Sequence, residues 1–258
     1  MISVEKITFR YEKHLPLFQD FSWQVERGHT WVIIGPSGCG KSTMLYLLAG
    51  LQRPEVGKIL INGQPVTGPR PQTGLILQDY GLLPWSTVRD NIQLGLNLRS
   101  FYGPDGKHAP AGALPVKSQP AVEHWLQRLG ISAIAGKFPG QISGGQRQRT
   151  AIARTLVLEP DLLLMDEPFA SLDTPTREDL HQLVRAISTE RTLTTVLVTH
   201  TIDEALFLGE MILVLKNGIN QTPLIFENPF TGQLTPHASQ DYQRLTGRIR
   251  EELKGTLA

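Results

Sequence analysis

The chain has 258 residues, a formal net charge of +1 and one cysteine. The balanced charge argues against a protein that coats nucleic acid, and one cysteine excludes a disulfide framework and is typical of a reducing cytoplasm. The apolar fraction of 40% is too high for a disordered chain. No apolar run approaches the roughly 20 residues of a spanning helix, and the start lacks a signal-peptide pattern. We therefore expect any work at a membrane to depend on another chain.

Short strands and helices alternate along the sequence. Apolar residues alternate with polar ones near the N terminus, which predicts strands before residue 26, and Lys58 to Gly63 predicts a strand with an Asn-Gly turn. The apolar run Thr30 to Gly35 predicts a buried strand, and Ser42 to Ala49 predicts a helix that Gly50 ends. Strand patterns near residue 75 and over 162–165, 194–199 and 211–215 are separated by helical ones. This alternation predicts an α/β fold with a mainly parallel sheet.

One segment departs from this alternation. Residues 86–158 are otherwise mostly helical, but the stretch from Tyr102 to Pro120 contains four prolines and three glycines. That composition opposes helix and strand alike, so we predict a loop inserted between helices. The loop is either a tolerated surface insertion, which we favour, or an element that tunes the choice of partner.

A glycine-rich loop follows the first buried strand and precedes a helix. It matches the pattern G-x-x-x-x-G-K-[ST] in full, with Thr43 directly after it, and consists of Gly35, Pro36, Ser37, Gly38, Cys39, Gly40, Lys41 and Ser42. Such a loop aims backbone N–H groups at a polyphosphate, while Lys41 reaches the β- and γ-phosphates and Ser42 offers a hydroxyl to Mg²⁺. Cys39 is either a redox-sensitive thiol or, as we favour, a small residue at a permissive position.

A second apolar strand ends in two carboxylates, Asp166 and Glu167. Ligands of open α/β sheets collect at the carboxyl ends of the strands. The pattern therefore predicts that Asp166 holds Mg²⁺ and that Glu167 orients or deprotonates the attacking water. The alternative is a solvated acidic turn.

Several further motifs occur in a fixed order around these two. The segment Ile142 to Arg149 reads ISGGQRQR, Gln78 follows a strand, and Ser171-Leu172-Asp173 follows the two carboxylates. His200 ends another strand, and Tyr11 stands near the N terminus. Together these motifs resemble those of ABC-transporter ATPases over roughly residues 1–218.

The resemblance implies a P-loop NTPase with an N-terminal antiparallel β subdomain and a helical subdomain over about 86–158, followed by a tail at 219–258 with an amphipathic helix. It implies ATP and Mg²⁺ as cofactors, with Gln78 at the metal and in catalysis and His200 as the switch histidine. Tyr11 would stack on adenine. A second copy of the chain would pack head to tail, so that its signature and D-loop residues reach the nucleotide of the first: Ser143, Gly144, Gly145, Gln146 and Asp173.

Each of these roles has a simpler alternative. Ser143 could be an ordinary helix N-cap, and Tyr11 could be an edge-strand aromatic residue. His200 could be structural, and Gln78 could be a surface loop residue. We expect Arg147 and Arg149 to face solvent or the acids of a partner rather than phosphate.

The segment Asp79 to Trp85 resembles the importer branch that serves nitrate, sulfonates and taurine, and also some thiamine precursors. The resemblance implies transmembrane permease subunits as partners, a periplasmic or lipoprotein solute-binding protein as an indirect one, and a peripheral place on the cytoplasmic face of the cell membrane. No nucleic acid is expected. Leu82, Leu83 and Trp85 suit a groove for a permease helix, or else a local core cluster. The alternatives are a soluble non-transport ABC ATPase, an exporter ATPase and a non-hydrolytic regulator.

Overall fold

The structure is a computed structural model that describes residues 1–12, 15–102, 118–233 and 239–254. The chain divides into two compact units. The first comprises Met1–Arg70, Leu164–Glu167 and His181–Ala258, and the second comprises Pro71–Leu163 and Pro168–Leu180. Among the described residues, no helix is both long and apolar enough to cross a membrane.

Ten strands and seven α-helices make up the described chain. In chain order the strands are β1 (Ile2–Phe9), β2 (Phe18–Val25), β3 (Thr30–Ile34), β4 (Val56–Ile61), β5 (Gln64–Pro65), β6 (Thr73–Ile76), β7 (Leu162–Asp166), β8 (Thr194–Thr199), β9 (Met211–Val214) and β10 (Leu224–Glu227). The helices are α1 (Lys41–Leu48), α2 (Val88–Tyr102), α3 (Ser118–Arg128), α4 (Gly144–Leu156), α5 (Thr174–Glu190), α6 (Ile202–Leu208) and α7 (Gln240–Lys254).

The first unit contains an antiparallel sheet in the order β2-β1-β4-β5. Its strands bury alternate apolar residues, as a sheet with one packed face does. Asn62 and Gly63 join β4 to β5 with φ angles of 52° and 76°, the positive values that a tight hairpin turn requires. The antiparallel β subdomain and the Asn-Gly turn are confirmed.

The remaining strands of this unit run in the order β10-β9-β3-β8-β7. Strand β3 pairs in parallel with both β8 and β9, while β10 is antiparallel to β9. The register sets Ile34 beside Thr199, so that β3 and β8 end at the same edge. Glu167 directly follows β7, and its N–H donates to Val198 O of β8 at 3.0 Å. This arrangement confirms the predicted α/β class and brings the ends of three strands together.

The second unit is mainly helical, with α2 packed against α3 and α4. Helix α2 ends at Tyr102 and α3 begins at Ser118, which places Pro120 in the first turn of α3. A proline is tolerated there because the first-turn N–H groups have no partner within the helix. The predicted loop is therefore shorter at its carboxyl end than the composition indicated, and its residues 103–117 lie outside the described residues.

Helix α7 belongs to the first unit. It buries Tyr242, Leu245 and Ile249, and the Tyr242 ring meets Phe230 edge-on at 5.5 Å. Its apolar face is thus a packing surface. The domain boundaries at 218 and around 86–158 stay predictions.

Candidate functional site

The glycine-rich loop joins β3 to α1 in the first unit. Gly38 and Gly40 have φ angles of 82° and 104°, a region that side chains with a Cβ rarely adopt. Gly40 is also the residue that precedes the first turn of α1. The pattern G-x-x-x-x-G-K-[ST] therefore forms the strand–loop–helix that a phosphate-binding loop needs, with the positive end of α1 directed at the loop.

The Lys41 side chain folds back over the loop. Its Nζ donates to Gly35 O at 2.9 Å and to Pro36 O at 3.0 Å, and only 7% of the residue is exposed. The buried ammonium is thereby satisfied by backbone carbonyls, as a buried charge must be. Its charge stands within the loop, where phosphate oxygens would offer stronger, charge-assisted bonds.

Cys39 lies inside the same loop and is buried. Burial raises the pKa of the Cys39 thiol, although the nearby charge of Lys41 acts in the opposite direction. A thiol that resists ionisation is a poor nucleophile, which supports the interpretation of Cys39 as a small packing residue.

A residue that the sequence analysis missed supports the loop from the other side. Asn220 is buried, and its Nδ2 donates to Cys39 O at 3.3 Å and to Leu17 O at 3.3 Å. Its Oδ1 accepts from Lys216 N at 3.0 Å. One amide thus ties the loop to two other segments. No local sequence pattern marks an asparagine 181 residues from its partner.

Ser42 and Asp166 meet at the sheet edge. The Ser42 hydroxyl donates to Asp166 Oδ1 at 2.9 Å, and the Tyr46 hydroxyl lies 3.5 Å from Asp166 Oδ2. Tyr46 reaches the carboxylate because it follows Ser42 by four residues on α1, which places both on one face of the helix. Tyr46 is a second site residue that the sequence analysis missed, and i, i+4 spacing was the available signal.

The Asp166 carboxyl is in an unfavourable environment for its charge. Burial raises its pKa, and the neighbouring charge of Glu167 raises it further, while the hydrogen bond from Ser42 lowers it. A cation held between Ser42 and Asp166 would relieve this. The described residues contain no group of three or more His, Cys, Asp or Glu able to hold a metal ion. The two oxygen donors suit Mg²⁺, which keeps several waters and uses few protein ligands.

Glu167 and His200 form a pair beside this carboxylate. His200 Nδ1 lies 3.2 Å from Glu167 Oε2, and more than half of the imidazole is exposed. Glu167 has a φ angle of 43°, which is uncommon for a residue with a side chain. Residues held in this way cluster at functional sites. The structure thus joins the predicted general base to the predicted switch histidine.

Tyr11 stands at the rim of an open cleft of about 530 Å³ in the first unit. Its hydroxyl lies 3.2 Å from Thr43 Oγ1, and its ring meets Phe9 edge-on at 5.0 Å. The cleft joins an apolar wall to the phosphate loop, and the residues that line it are Tyr11, Leu15, Leu17, Gly38, Gly40, Lys41, Ser42 and Thr43. Such a combination suits a ligand with a flat ring at one end and phosphates at the other.

The signature segment begins helix α4 in the second unit. The Ser143 side chain accepts from Gln146 N at 3.2 Å, and Gln146 Oε1 accepts from Ser143 N at 3.0 Å, which is a complete capping box. A Cβ added at Gly145 would lie 2.3 Å from Thr176 Cγ2, so only glycine fits there. Ser143 is therefore an N-cap, and the N-terminus of α4 that it caps is suited to an anion.

The other predicted residues of this unit lie at helix ends and turns. Asp173 is exposed and accepts from the Thr176 hydroxyl at 3.0 Å, and this bond holds the pKa of Asp173 below its ordinary value. Gln78 is exposed, two residues after β6. Arg147 and Arg149 are partly exposed, and each donates to a backbone carbonyl, of Ile142 at 2.8 Å and of Leu129 at 2.9 Å. That they face solvent or the acids of a partner rather than phosphate stays a prediction.

Comparison with known proteins identifies relatives for most of the chain. Residues 18–170 match the family described as ABC transporter. The taurine import ATP-binding protein of Yersinia pestis is 38% identical over 86% of this chain and 82% of its own length. The aliphatic sulfonates import ATP-binding protein of Bacillus thuringiensis is 32% identical over 98% of this chain and 96% of its own length.

Solved structures of similar fold agree with these sequence matches. A dimeric ATP-binding cassette in a post-hydrolysis state, bound to ADP and phosphate, superposes with a TM-score of 0.73 at 28% identity. The match covers 88% of this chain and 98% of that one. The structure of a Clostridium perfringens protein, part of an ABC transporter complex, has a TM-score of 0.76 at 24% identity over the full chain and supports the fold alone.

Proposed function

Because this chain belongs to the ABC transporter family as an ATPase of the importer branch, we propose that it powers the import of a small solute, such as nitrate, a sulfonate or taurine. One observation carries the proposal: the phosphate loop, the Ser42–Asp166 contact and the Glu167–His200 pair meet at one edge of the sheet in the first unit. Groups for phosphate binding, metal binding and water activation are thus brought together at this edge, although they lie far apart in the sequence.

Nucleotide binding would use the open cleft from end to end. Tyr11 offers a ring face for adenine, and the loop from Gly35 to Thr43 offers backbone N–H groups to the phosphates. Lys41 would exchange its two carbonyl partners for the β- and γ-phosphate oxygens. Its charge already stands inside the loop, so a rotation of the side chain suffices.

Hydrolysis would use the two carboxylates in different roles. Ser42 and Asp166 would hold Mg²⁺, whose charge would neutralise the developing charge on the phosphoryl oxygens. Glu167 would accept a proton from the attacking water, and His200 would fix the direction of its carboxylate through the 3.2 Å contact. The raised pKa of Asp166 supports a cation site, since a bound cation offsets the unfavourable charge.

A second copy of the chain would complete each site. The capping box uses the N–H groups of Ser143 and Gln146, so Gly144 and Gly145 between them would offer their backbone N–H groups to an anion. The exposed Asp173 stands at the start of α5. We propose that this surface meets the γ-phosphate held by the partner copy, so that ATP joins the two copies and hydrolysis releases them. The dimeric form of the similar cassette supports this.

Coupling to import would need a membrane partner. Trp85 is 73% exposed, and Leu82 and Leu83 are partly exposed beside it. An apolar surface of this kind suits a helix of a permease subunit, with a solute-binding protein acting on the permease from the other side. The chain would then sit peripherally on the cytoplasmic face of the membrane. The importer names of the two relatives support this assignment.

The test uses the chain in its complex. A permease and a solute-binding protein, to be sought first in the neighbouring reading frames, are purified with the chain and placed in lipid vesicles with Mg²⁺ and ATP. We expect taurine or an alkanesulfonate to stimulate phosphate release and its own uptake. Stimulation by nitrate would identify nitrate as the solute within the proposal, whereas stimulation by a thiamine-precursor pyrimidine would favour the alternative class of solute. A rate of ATP hydrolysis that is the same with and without the permease would favour a soluble, non-transport ABC ATPase.

A further inference from the structure

A buried polar cluster lies behind the turn that carries His200. His181 Nε2 is 2.8 Å from Glu204 Oε1, and the Thr199 hydroxyl donates to Glu204 Oε2. All three residues are less than one-tenth exposed, and the His181 ring stacks on Phe207 at 5.8 Å. A carboxylate is costly to bury, so one that uses both of its oxygens in this way holds its partners firmly.

The cluster reaches His200 through the backbone. Thr199 ends β8, Ile202 begins α6, and only His200 and Thr201 lie between them. The Thr201 N–H donates to Thr199 Oγ1 at 3.2 Å, so the hydroxyl accepts from one side of the turn while it donates to Glu204 on α6. The peptide unit that follows His200 is therefore tied to the Thr199 hydroxyl, and through it to Glu204. Within the described chain, the hydrogen-bond partner of the exposed imidazole is Glu167.

We propose that Glu204 is a positioning residue for His200: through the Thr199 hydroxyl it fixes the turn on which the imidazole stands. The proposal rests on the function proposed above for His200. Among the described residues, the side chain of Glu204 is hydrogen-bonded to His181 and Thr199. Glu204 would therefore act through Thr199, by holding His200 Nδ1 in line with the Glu167 carboxylate. Loosening this turn should slow hydrolysis and leave ATP binding unchanged.

Thr199→Val removes the hydroxyl and keeps the shape and the strand preference of the side chain. We expect it to lower kcat for phosphate release by the full chain roughly tenfold, since small misplacements of catalytic groups are costly, with KM for ATP within about twofold. Thr199→Ser restores the hydroxyl and should recover most of kcat. Thr195→Val is the matched control: Thr195 is equally buried on β8, but its hydroxyl lies 3.2 Å from Ser188 Oγ, away from the turn.

A spectroscopic readout separates positioning from stability. The imidazole signal of His200 in the NMR spectrum, assigned with His200→Ala, should shift in Thr199→Val and stay in place in Thr195→Val. The double variant Thr199→Val with His200→Ala should hydrolyse ATP no more slowly than His200→Ala alone, because both changes remove the same contribution.

The outcomes separate a failure of the role proposed for His200 from a failure of the role proposed for Glu204. Wild-type kcat in His200→Ala would overturn the function proposed for His200. A slow His200→Ala beside a Thr199→Val with normal kcat and an unshifted imidazole signal would overturn the role of Glu204 alone. If Thr199→Val does not fold, Glu204→Gln replaces it and weakens a charge-assisted bond; we expect a loss in kcat of about threefold, and an unchanged kcat would overturn the proposal.

Discussion

Glu167→Gln gives the sharpest test of the proposed chemistry. Glutamine has the length of glutamate and can still reach His200, whose Nδ1 lies 3.2 Å from the Glu167 carboxylate. Lys41 and Ser42 are unchanged, so ATP affinity should stay within about threefold. The variant should therefore lose only the transfer of a proton from the attacking water. We expect the rate of hydrolysis to fall by about 10²–10⁴-fold, which corresponds to a barrier higher by about 3–5 kcal/mol.

The assay compares phosphate release with equilibrium binding of ATP in the same preparation. The matched control is Glu210→Gln, because Glu210 Oε2 also meets a histidine, His29 Nδ1, at 2.8 Å but lies outside the site. We expect the control to keep its turnover, and Glu167→Gln to accumulate as an ATP-bound dimer in size-exclusion chromatography. A Glu167→Gln chain that hydrolyses ATP at near-normal rate would remove Glu167 from the role of base.

Three further outcomes are expected. Lys41→Ala should weaken ATP binding about 10–100-fold in a titration, because it removes a charged donor; equal affinity would contradict this. Asp166→Asn should raise the melting temperature of the chain at pH 7 without nucleotide: the raised pKa means that stability falls as pH rises through it, and asparagine removes that loss. A lower melting temperature would count against the burial argument. Ile249→Ala should lower the melting temperature by roughly 5–10 °C, since Ile249 is fully buried on α7, whereas the exposed neighbour Arg250→Ala should change it little.

Much of the site was predictable because its residues follow local rules. A phosphate loop needs glycines at fixed positions before a helix. The end of β7 is recognisable in the sequence because a run of four apolar residues is followed by two acidic ones. The edge of a parallel sheet then brings separate strand ends together, which is why Asp166, Glu167 and His200 could be grouped from the sequence.

The supporting residues were not predictable in this way. Asn220 contacts the loop although it lies 181 residues away in the sequence. The need for an asparagine at this position depends on tertiary packing, which a hydrophobic periodicity does not indicate. Glu204 lies on α6, and a glutamate on a helix is usually expected to be exposed to solvent. Its burial between His181 and Thr199 becomes visible only in the folded chain. The helix predicted from Ser42 begins one residue earlier, at Lys41, because Gly40 adopts the positive φ of the residue that precedes the first turn.

The capping box at Ser143 has a consequence for the speed of assembly. Because Ser143 and Gln146 satisfy each other, the start of α4 acquires its shape while the chain folds. A second copy that binds with ATP would therefore meet a helix start that is already ordered. The conformational entropy of ordering it is lost during folding and does not oppose association. Association of the two copies should then proceed at a rate governed by diffusion and orientation, and nucleotide turnover would be timed by departure of the copies rather than by their arrival.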